Sequence, residues 1–235
     1  MIAASALTLC AALMAAPKGN LEAVLHALHW NGQSSIRLDV QGKIVAIDPY
    51  QIHHSYVADV VLITHPHSDH FSPADLAKVV GIRTVIAAPP ECLTEPRKHF
   101  PRNTFVAVHP GFRQTLAGIP VEAVPAYNII KKDKHPKSKG WVGYILTVDG
   151  VRLYHSGDTE RIPEMKDFTA DIALLPLGQT YTMNSVQEAA AAAQDVHAKI
   201  AIPIHYGLYE GKASDADLFA KDLQGKVRVV KLVRE

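Results

Sequence analysis

Three histidines and an aspartate stand together in the segment His65-Pro66-His67-Ser68-Asp69-His70. Imidazole nitrogens and carboxylate oxygens are ligands that suit zinc or iron. Residues two apart in an extended segment point the same way, so His65 and His67 can share one ion. Asp69 and His70 can reach a second ion beside it, where the chain turns towards a helix that starts at Pro73. The segment therefore predicts a site for one or two metal ions.

Two later segments also place a candidate ligand at the end of an apolar run. Asp158 follows one such run, at a strand tip where a carboxylate can bridge two cations, and His205 closes the run Ala201–Ile204. His155, three residues before Asp158, is expected to pack within the sheet or beside the ligands. A single histidine at a strand end is more often a structural residue, but beside two other strand-end clusters His205 is predicted to bind metal.

These segments carry a resemblance to a known family. His65–His70 matches the HxHxDH signature of the metallo-β-lactamase superfamily, and His155–Thr159 and Pro203–His205 match its later Asp and His motifs in the same order. The resemblance extends over about Leu21–Val233. Within the superfamily the chain is most similar to UPF0173-type and ascorbate-phosphate-lactonase-like hydrolases, through Gly178–Met183 and its short length. The resemblance implies a four-layer αββα sandwich and a metal-dependent hydrolase.

Ligand positions can be transferred from the family residue by residue. The resemblance implies that one ion is held by His65 and His67, a second by Asp69, His70 and His205, and that Asp158 bridges them. The family usually supplies a third histidine to the first ion, but the aligned position here is Asn128, whose carbonyl oxygen is a weaker ligand for zinc. His135, seven residues further on, is the other candidate. A single ion held mainly by Asp69, His70, Asp158 and His205 is a further alternative.

The chemistry expected of such a site is hydrolysis. A bound divalent cation lowers the pKa of water from about 15.7 towards 7. We expect zinc, with manganese or iron as alternatives, and cleavage of an ester, lactone or phosphoester bond. Asp69 is expected to orient the nucleophile, and His135 or Tyr127 to assist the leaving group. Five lysines in Lys131–Lys139 predict attraction of an anionic small-molecule substrate. The alternative functions are a di-iron redox protein on the same scaffold and a non-catalytic metal-binding module.

Strands and helices that could position these residues follow from hydrophobic periodicity. The run Asp59–Thr64 predicts a strand buried on both faces, directly before the first histidines. Three strands are predicted before it, Glu22–Trp30, Ser35–Val40 and Lys43–Asp48, joined by tight turns at Asn31-Gly32 and Gln41-Gly42. The predicted helices are Pro73–Val80, Ser185–Val196 and Asp215–Leu223. The further predicted strands are Thr84–Ala88, Thr104–Val108, Arg113–Ala117, Val121–Val124, Trp141–Val148, Arg152–His155, Asp171–Leu175, Ala198–Pro203 and Val227–Val233.

This order of elements predicts an α/β (α+β) fold. The first half of the chain begins with strands and continues with alternating strands and helices. The second half repeats this order from about Val121. We therefore expect two sheets packed face to face with helices outside, in one domain over residues 19–235.

Composition and the N-terminus limit the function classes. The 235 residues are 48% hydrophobic and 20% charged with a net charge of +1, which excludes a disordered chain and argues against a nucleic-acid partner. Two cysteines exclude a disulfide scaffold. No apolar run reaches the roughly 20 residues of a membrane span. Residues 1–18 contain an apolar run typical of a signal peptide, although no Lys or Arg follows Met1. A periplasmic or secreted protein is thus expected, with a frayed or buried N-terminal helix in a cytoplasmic protein as the alternative.

Overall fold

The computed structural model of the chain describes residues 19–235. The segment 1–18, for which a signal peptide is predicted, lies outside the described residues, so export stays a prediction. Over residues 19–235, no helix combines the length and the apolar character needed to cross a membrane.

A six-stranded sheet forms the first half of the described chain. Strands β1 to β6 are neighbours in chain order; β1 to β3 are antiparallel, and β3 to β6 are parallel. Residues Gln41 and Gly42 turn β2 into β3 with φ values of 54° and 69°, as a tight hairpin requires. The strands are Leu28–Gly32 (β1), Ser35–Val40 (β2), Lys43–Ile47 (β3), Ala58–Leu62 (β4), Val80–Ala88 (β5) and Thr104–Ala107 (β6).

A seven-stranded sheet forms the second half, in the order β13-β12-β11-β10-β9-β8-β7. Strands β7 to β10 are antiparallel, and β10 to β13 are parallel. The strands are Arg113–Leu116 (β7), Ile119–Pro125 (β8), Val142–Val148 (β9), Val151–His155 (β10), Ile172–Pro176 (β11), Ile200–Ile204 (β12) and Arg228–Val229 (β13).

The two sheets pack against each other, and helices cover their outer faces. In β4, Val60 and Leu62 enter the core between the sheets, whereas Val61 and Ile63, the residue directly after the strand, pack on the outer side. This alternation follows from the period of two in a strand. Helix α2 (Pro73–Val79) packs on the first sheet, and α3 (Thr94–His99) lies beside β6, where Arg97 stacks over the Phe105 ring. Helices α4 (Val186–Asp195) and α5 (Asp215–Asp222) pack on the second sheet. The predicted αββα sandwich is confirmed.

The helix boundaries follow from local capping. The Ser72 hydroxyl accepts a hydrogen bond from the backbone N–H of Asp75 at 3.2 Å, and Pro73 occupies the first helical position. The Ser185 hydroxyl accepts from the N–H of Glu188 at 3.0 Å and starts α4 in the same way.

Several elements differ from the prediction. The predicted turn at Asn31-Gly32 is wrong, because both residues belong to β1 and the turn lies at Gln33 and Ser34. The predicted strand from Glu22 is divided, because the Asn20 side chain caps a short helix, α1 (Leu21–His26), before β1 begins. Helix α3 was not predicted. The predicted final strand is reduced to β13, because the chain then leaves the second sheet and Arg234 pairs with Trp30 at the edge of the first.

Candidate metal centre

One cluster of candidate ligands combines residues from both halves of the chain. One donor atom from each of His65, His67, His135 and Asp158 lies within 4.8 Å of the others. The His67 Nδ1 atom is 3.1 Å from His65 Nε2 and 3.2 Å from His135 Nε2. The Asp158 Oδ2 atom is 3.9 Å from His65 Nε2 and 3.8 Å from His135 Nε2. The ring of Trp141 packs against all three imidazoles and closes one side of the cluster.

A second cluster lies on the other side of Asp158. One donor atom from each of Asp69, His70 and His205 lies within 4.8 Å of the others. The His205 Nε2 atom is 3.3 Å from Asp69 Oδ2 and 3.4 Å from Asp158 Oδ2. The His70 Nε2 atom is 3.2 Å from Asp158 Oδ1. The Asp158 carboxylate therefore faces both clusters and lies where a bridging ligand is expected.

The donor sets fit divalent cations. Three nitrogens and one oxygen are a usual set for zinc. Buried His70 Nε2 and Asp158 Oδ1 have no hydrogen-bond partner of acceptable geometry among the described residues. Because a buried polar atom without a partner costs about 1–3 kcal/mol, atoms that point into a shared cleft indicate a ligand there. We name the two groups the histidine cluster (His65, His67, His135, Asp158) and the mixed cluster (Asp69, His70, His205, Asp158).

Asp48 orients the segment that follows β4. Its Oδ1 accepts a hydrogen bond from Thr64 N at 2.8 Å, and its Oδ2 accepts from the Thr64 hydroxyl at 2.6 Å. The same Oδ2 lies 2.7 Å from His70 Nδ1. A carboxylate on Nδ1 leaves Nε2 free to bind a cation, so Asp48 fixes both the orientation and the useful tautomer of His70.

A glycine shapes the turn that presents Asp158. Gly157 has φ of 61°, and an added Cβ would lie 2.9 Å from Val142 O, so only glycine fits. Gly157 N donates to His155 Nδ1 at 3.1 Å, and His155 Nε2 lies 2.8 Å from Ser34 O. His155 is therefore occupied within the sheet and lies outside both clusters, as expected.

Two residues without a sequence signal hold the mixed cluster. The Glu210 Oε1 atom lies 2.8 Å from His205 Nδ1, and its Oε2 accepts from the backbone N–H groups of Thr180 and Tyr181 at 2.8 and 2.9 Å. The Gln33 side chain donates to Asp69 Oδ2 at 3.1 Å. Neither residue stands at a recognisable spacing from a motif, so only the folded chain reveals them.

The structure corrects the assignment of Asn128 as a metal ligand. Its side-chain amide donates to Tyr181 O at 2.7 Å and to Lys131 O at 3.3 Å, and its Oδ1 accepts from Glu160 N at 2.9 Å. All its polar atoms are thus engaged outside the clusters. Of the two candidates for the missing histidine position, His135 is the one that the fold brings to the histidine cluster.

The structure also corrects Tyr127 as a candidate proton donor. Its hydroxyl donates to Glu164 Oε2 at 2.8 Å and lies 3.2 Å from Lys137 Nζ, while its ring packs in the outer core of the second sheet. Since Tyr127 does not line the cavity above the clusters, it has no access to a leaving group.

Burial and neighbouring charges give the two clusters different electrostatics. In the histidine cluster, burial lowers the pKa of His65 well below its ordinary value and lowers that of His135 to about 3. These imidazoles are therefore neutral and ready to donate a lone pair. In the mixed cluster, neighbouring carboxylates outweigh the effect of burial. Asp158 and Asp48 raise the pKa of His70. Asp158 and Asp69 raise the pKa of His205 to about 10. A cation bound there would take the place of these protons.

A cavity of about 620 Å³ opens above both clusters. Apart from cluster residues, its wall consists of Ser68, Asp133, Lys134, Tyr181 and Tyr209. The other lysines of the basic loop do not line it. Lys131, Lys137 and Lys139 pair with side-chain oxygens outside the cavity wall. Lys134, which pairs with Asp133 in the wall itself, is the lysine of the loop that lines the cavity.

Comparison with known proteins agrees with this geometry. The sequence model of the β-lactamase superfamily domain matches residues 27–205. A UPF0173 metal-dependent hydrolase of Methanoregula boonei is 33% identical over 205 residues, which cover 82% of this chain and 87% of the relative. The crystal structure of a protein from Parabacteroides distasonis has a TM-score of 0.75 and 32% identity, covering 88% of this chain and 93% of that chain.

A more distant solved structure shares only the fold. CmlA, a diiron β-hydroxylase from Streptomyces venezuelae, has a TM-score of 0.67 at 13% identity, and the match covers 88% of this chain and 52% of that chain. The extent of the family match and the identity to the Methanoregula relative decide the classification. This chain belongs to the metallo-β-lactamase superfamily and, within it, to the UPF0173 family of metal-dependent hydrolases.

Proposed function

We propose that the chain binds two zinc ions and hydrolyses an ester, lactone or phosphoester bond in a small anionic molecule. The single observation that carries this proposal is the convergence of two donor clusters on the Asp158 carboxylate at the floor of one cavity. His65, His67 and His135 would hold one ion. Asp69, His70 and His205 would hold the other.

Metal binding would supply Lewis acidity and lower the pKa of a water molecule towards 7. Asp69 is the carboxylate best placed to handle the proton, because its side chain is 21% exposed and lines the cavity, whereas Asp158 is 3% exposed. Gln33 holds Asp69 Oδ2 and thereby fixes the carboxylate plane. Asp69 would accept the proton of the attacking water and return it to the leaving group. His135 is proposed as a ligand, since its Nε2 faces the cluster and cannot also donate a proton.

The cavity wall supports a substrate with a negative charge and an apolar body. Lys134 Nζ lies 3.3 Å from Asp133 Oδ2 and 5.9 Å from the centre of the Tyr181 ring, so it can shift from its acidic neighbour to an anionic ligand. Tyr181 and Tyr209 are 42% and 56% exposed and offer ring surfaces in the same wall. A volume of about 620 Å³ is in the range of small-molecule sites.

The test combines metal analysis with turnover on purified protein. Elemental analysis should give two zinc equivalents, and a panel of carboxyl esters, lactones and phosphoesters should yield a substrate whose hydrolysis stops on chelation. Asp69→Ala and His205→Ala should abolish turnover. His53→Ala, which removes an exposed histidine outside the cavity, is the matched control and should leave it unchanged.

Three outcomes would overturn the proposal. Turnover that survives complete chelation refutes metal-dependent hydrolysis. Stoichiometric metal without turnover on the whole panel favours the binding module. Iron with an optical band that responds to reductant favours the redox alternative.

A further inference from the structure

His135 is held differently from the other buried histidines of the two clusters. His70 Nδ1 contacts Asp48, His205 Nδ1 contacts Glu210, and His65 Nδ1 lies 2.9 Å from the Thr64 hydroxyl. The Nδ1 atoms of His135 and His205 both lack a hydrogen bond of acceptable geometry among the described residues. His205 Nδ1 still has the Glu210 carboxylate 2.8 Å away, whereas His135 Nδ1 has no ion-pair partner in that part of the chain. No carboxylate, hydroxyl or carbonyl therefore orients this imidazole directly. Apart from ring packing against Trp141, its position comes from the backbone of the loop that carries it.

We propose that Glu160 is the positioning residue that sets this loop and thereby completes the histidine cluster. The inference rests on the proposed metal site. The Glu160 side chain is buried, and its Oε2 accepts hydrogen bonds from the backbone N–H groups of Ile129 and Ile130, both at 2.7 Å. Its Oε1 accepts from Lys131 N at 2.9 Å. One carboxylate thus gathers three consecutive amides, which fixes the direction of the chain just after Asn128.

The loop between Asn128 and His135 is closed at its base. Asn128 N donates to His135 O at 2.7 Å, so the two ends of the loop meet. The Asn128 side chain accepts from Glu160 N and donates to Tyr181 O. Glu160 therefore holds the first turn of the loop through its carboxylate and the base of the loop through its own backbone. Because His135 stands at the second end of that base, any shift of the turn moves the imidazole.

The same short segment also carries the shared carboxylate. Asp158 lies two residues before Glu160, and between them the Thr159 hydroxyl bonds both the N–H and the carbonyl of Tyr127, at 3.1 and 2.9 Å. The segment 158–160 is thus hydrogen-bonded to Tyr127, which lies directly before the loop. Glu160 therefore fixes the distance between Asp158 and His135, two donors of one cluster that are separated in sequence by β9 and β10.

The test measures zinc binding to the full chain, with zinc alone and a chromophoric chelator as competitor. Glu160→Gln replaces one acceptor oxygen by an NH₂ group that opposes a backbone N–H. It should weaken one zinc site about 10–100-fold, the range for outer partners of metal ligands, and leave the other within about threefold. Glu164→Gln is the matched control: this nearby glutamate contacts Tyr127 and Lys137 but none of the loop amides. It should bind both zinc ions as the unmodified chain does.

Double variants identify which site is affected. If Glu160 acts through His135, Glu160→Gln adds no further loss of zinc affinity to His135→Ala, whereas combined with His205→Ala it weakens the site that remains. A purely structural role would instead lower affinity at both sites and act additively on His135→Ala. Should Glu160→Gln give no soluble protein, Asn128→Ala opens the same loop at its base and is expected to show the same selective loss.

The outcome separates this inference from the proposed function. Failure of the unmodified chain to bind zinc would refute the metal site itself. Two zinc ions bound by the unmodified chain and bound equally well by Glu160→Gln would overturn only the positioning role. Equal losses at both sites would overturn it as well.

Discussion

Gly178→Ala tests the contact that orients His205. An alanine Cβ at this position would lie 1.9 Å from Glu210 Oε1, 2.1 Å from Cδ and 2.6 Å from Cγ, and these three atoms are its nearest neighbours. Because Gly178 does not have a positive φ, alanine is compatible with the backbone. The substitution therefore acts through one contact, the displacement of the Glu210 carboxylate.

The size of the effect follows from the bonds that this carboxylate makes. Restoring an ordinary carbon–oxygen contact requires Glu210 to move by about 1.5 Å. That movement breaks its contacts with Thr180 N, Tyr181 N and His205 Nδ1, which are 2.8, 2.9 and 2.8 Å long. Hydrogen bonds to charged groups contribute about 1.5–3 kcal/mol each and are not additive, so we expect a loss of about 3 kcal/mol in unfolding free energy. Zinc affinity at the mixed cluster should fall about 10–100-fold.

A double-mutant cycle with Glu210→Ala isolates the cause. Urea unfolding and zinc competition are measured for both single variants and the double variant. Without the Glu210 carboxylate, Gly178→Ala should be neutral or stabilise the fold by up to about 1 kcal/mol, because alanine restricts the unfolded chain. If Gly178→Ala costs about 3 kcal/mol in both backgrounds, steric displacement of Glu210 is not the mechanism, and the reasoning fails.

Three further predictions use other parts of the chain. His135→Ala should weaken one zinc site more than 100-fold, beyond the roughly 10–100-fold range of an outer partner, in equilibrium zinc titrations; two unchanged sites would contradict its role as a ligand. Asp75→Asn should lower the unfolding free energy by about 1–3 kcal/mol at pH 7, because Asp75 accepts backbone hydrogen bonds from Gln51 and Ile52. Burial opposes ionisation of Asp75, but hydrogen bonds from Lys78 and the backbone outweigh burial and lower the pKa of Asp75. The stability that the Asp75 carboxylate contributes is therefore present above the unfolded pKa of about 3.9 and is lost as the pH falls through the folded pKa. Urea titrations between pH 7 and 2 should therefore show a shallower acid loss in the variant, and parallel curves would contradict the assignment. Lys134→Gln should raise KM for an anionic ester several-fold and leave KM for its neutral analogue unchanged, with the difference shrinking at high salt; an equal change for both esters would exclude charge recognition.

The ligands of the metal centre were predictable where they stand close together in the sequence. His65 to His70 occupy one turn after one strand, so their types and separations identify the site without knowledge of the fold. Asp158 and His205 were also predictable, because each ends an apolar strand. Sequence left the choice between Asn128 and His135 open, since it depends on a loop whose path is set by amides bonding to Glu160.

The layers of the fold were predictable for a related reason. Alternation in β2 and the continuous apolar run of β4 report which faces are buried, and two Gly-containing turns with positive φ fix the hairpins β2–β3 and β9–β10. Short elements were less visible. The six residues of α1 are too few to show helical periodicity. Glu210 accepts hydrogen bonds from the amides of Thr180 and Tyr181, 30 and 29 residues away, and sequence offers no pattern for such a contact.

The arrangement of donors has a mechanical consequence. His65 and His67 follow a strand of the six-stranded sheet, whereas His135 and Asp158 belong to the seven-stranded sheet and its loops. An ion in the histidine cluster would therefore cross-link the two halves of the sandwich. Binding of the ion would then raise the free energy needed to separate the two sheets, and its removal would lower it. Amide hydrogen exchange in β4 and β10 would be slower with the ion bound than without it.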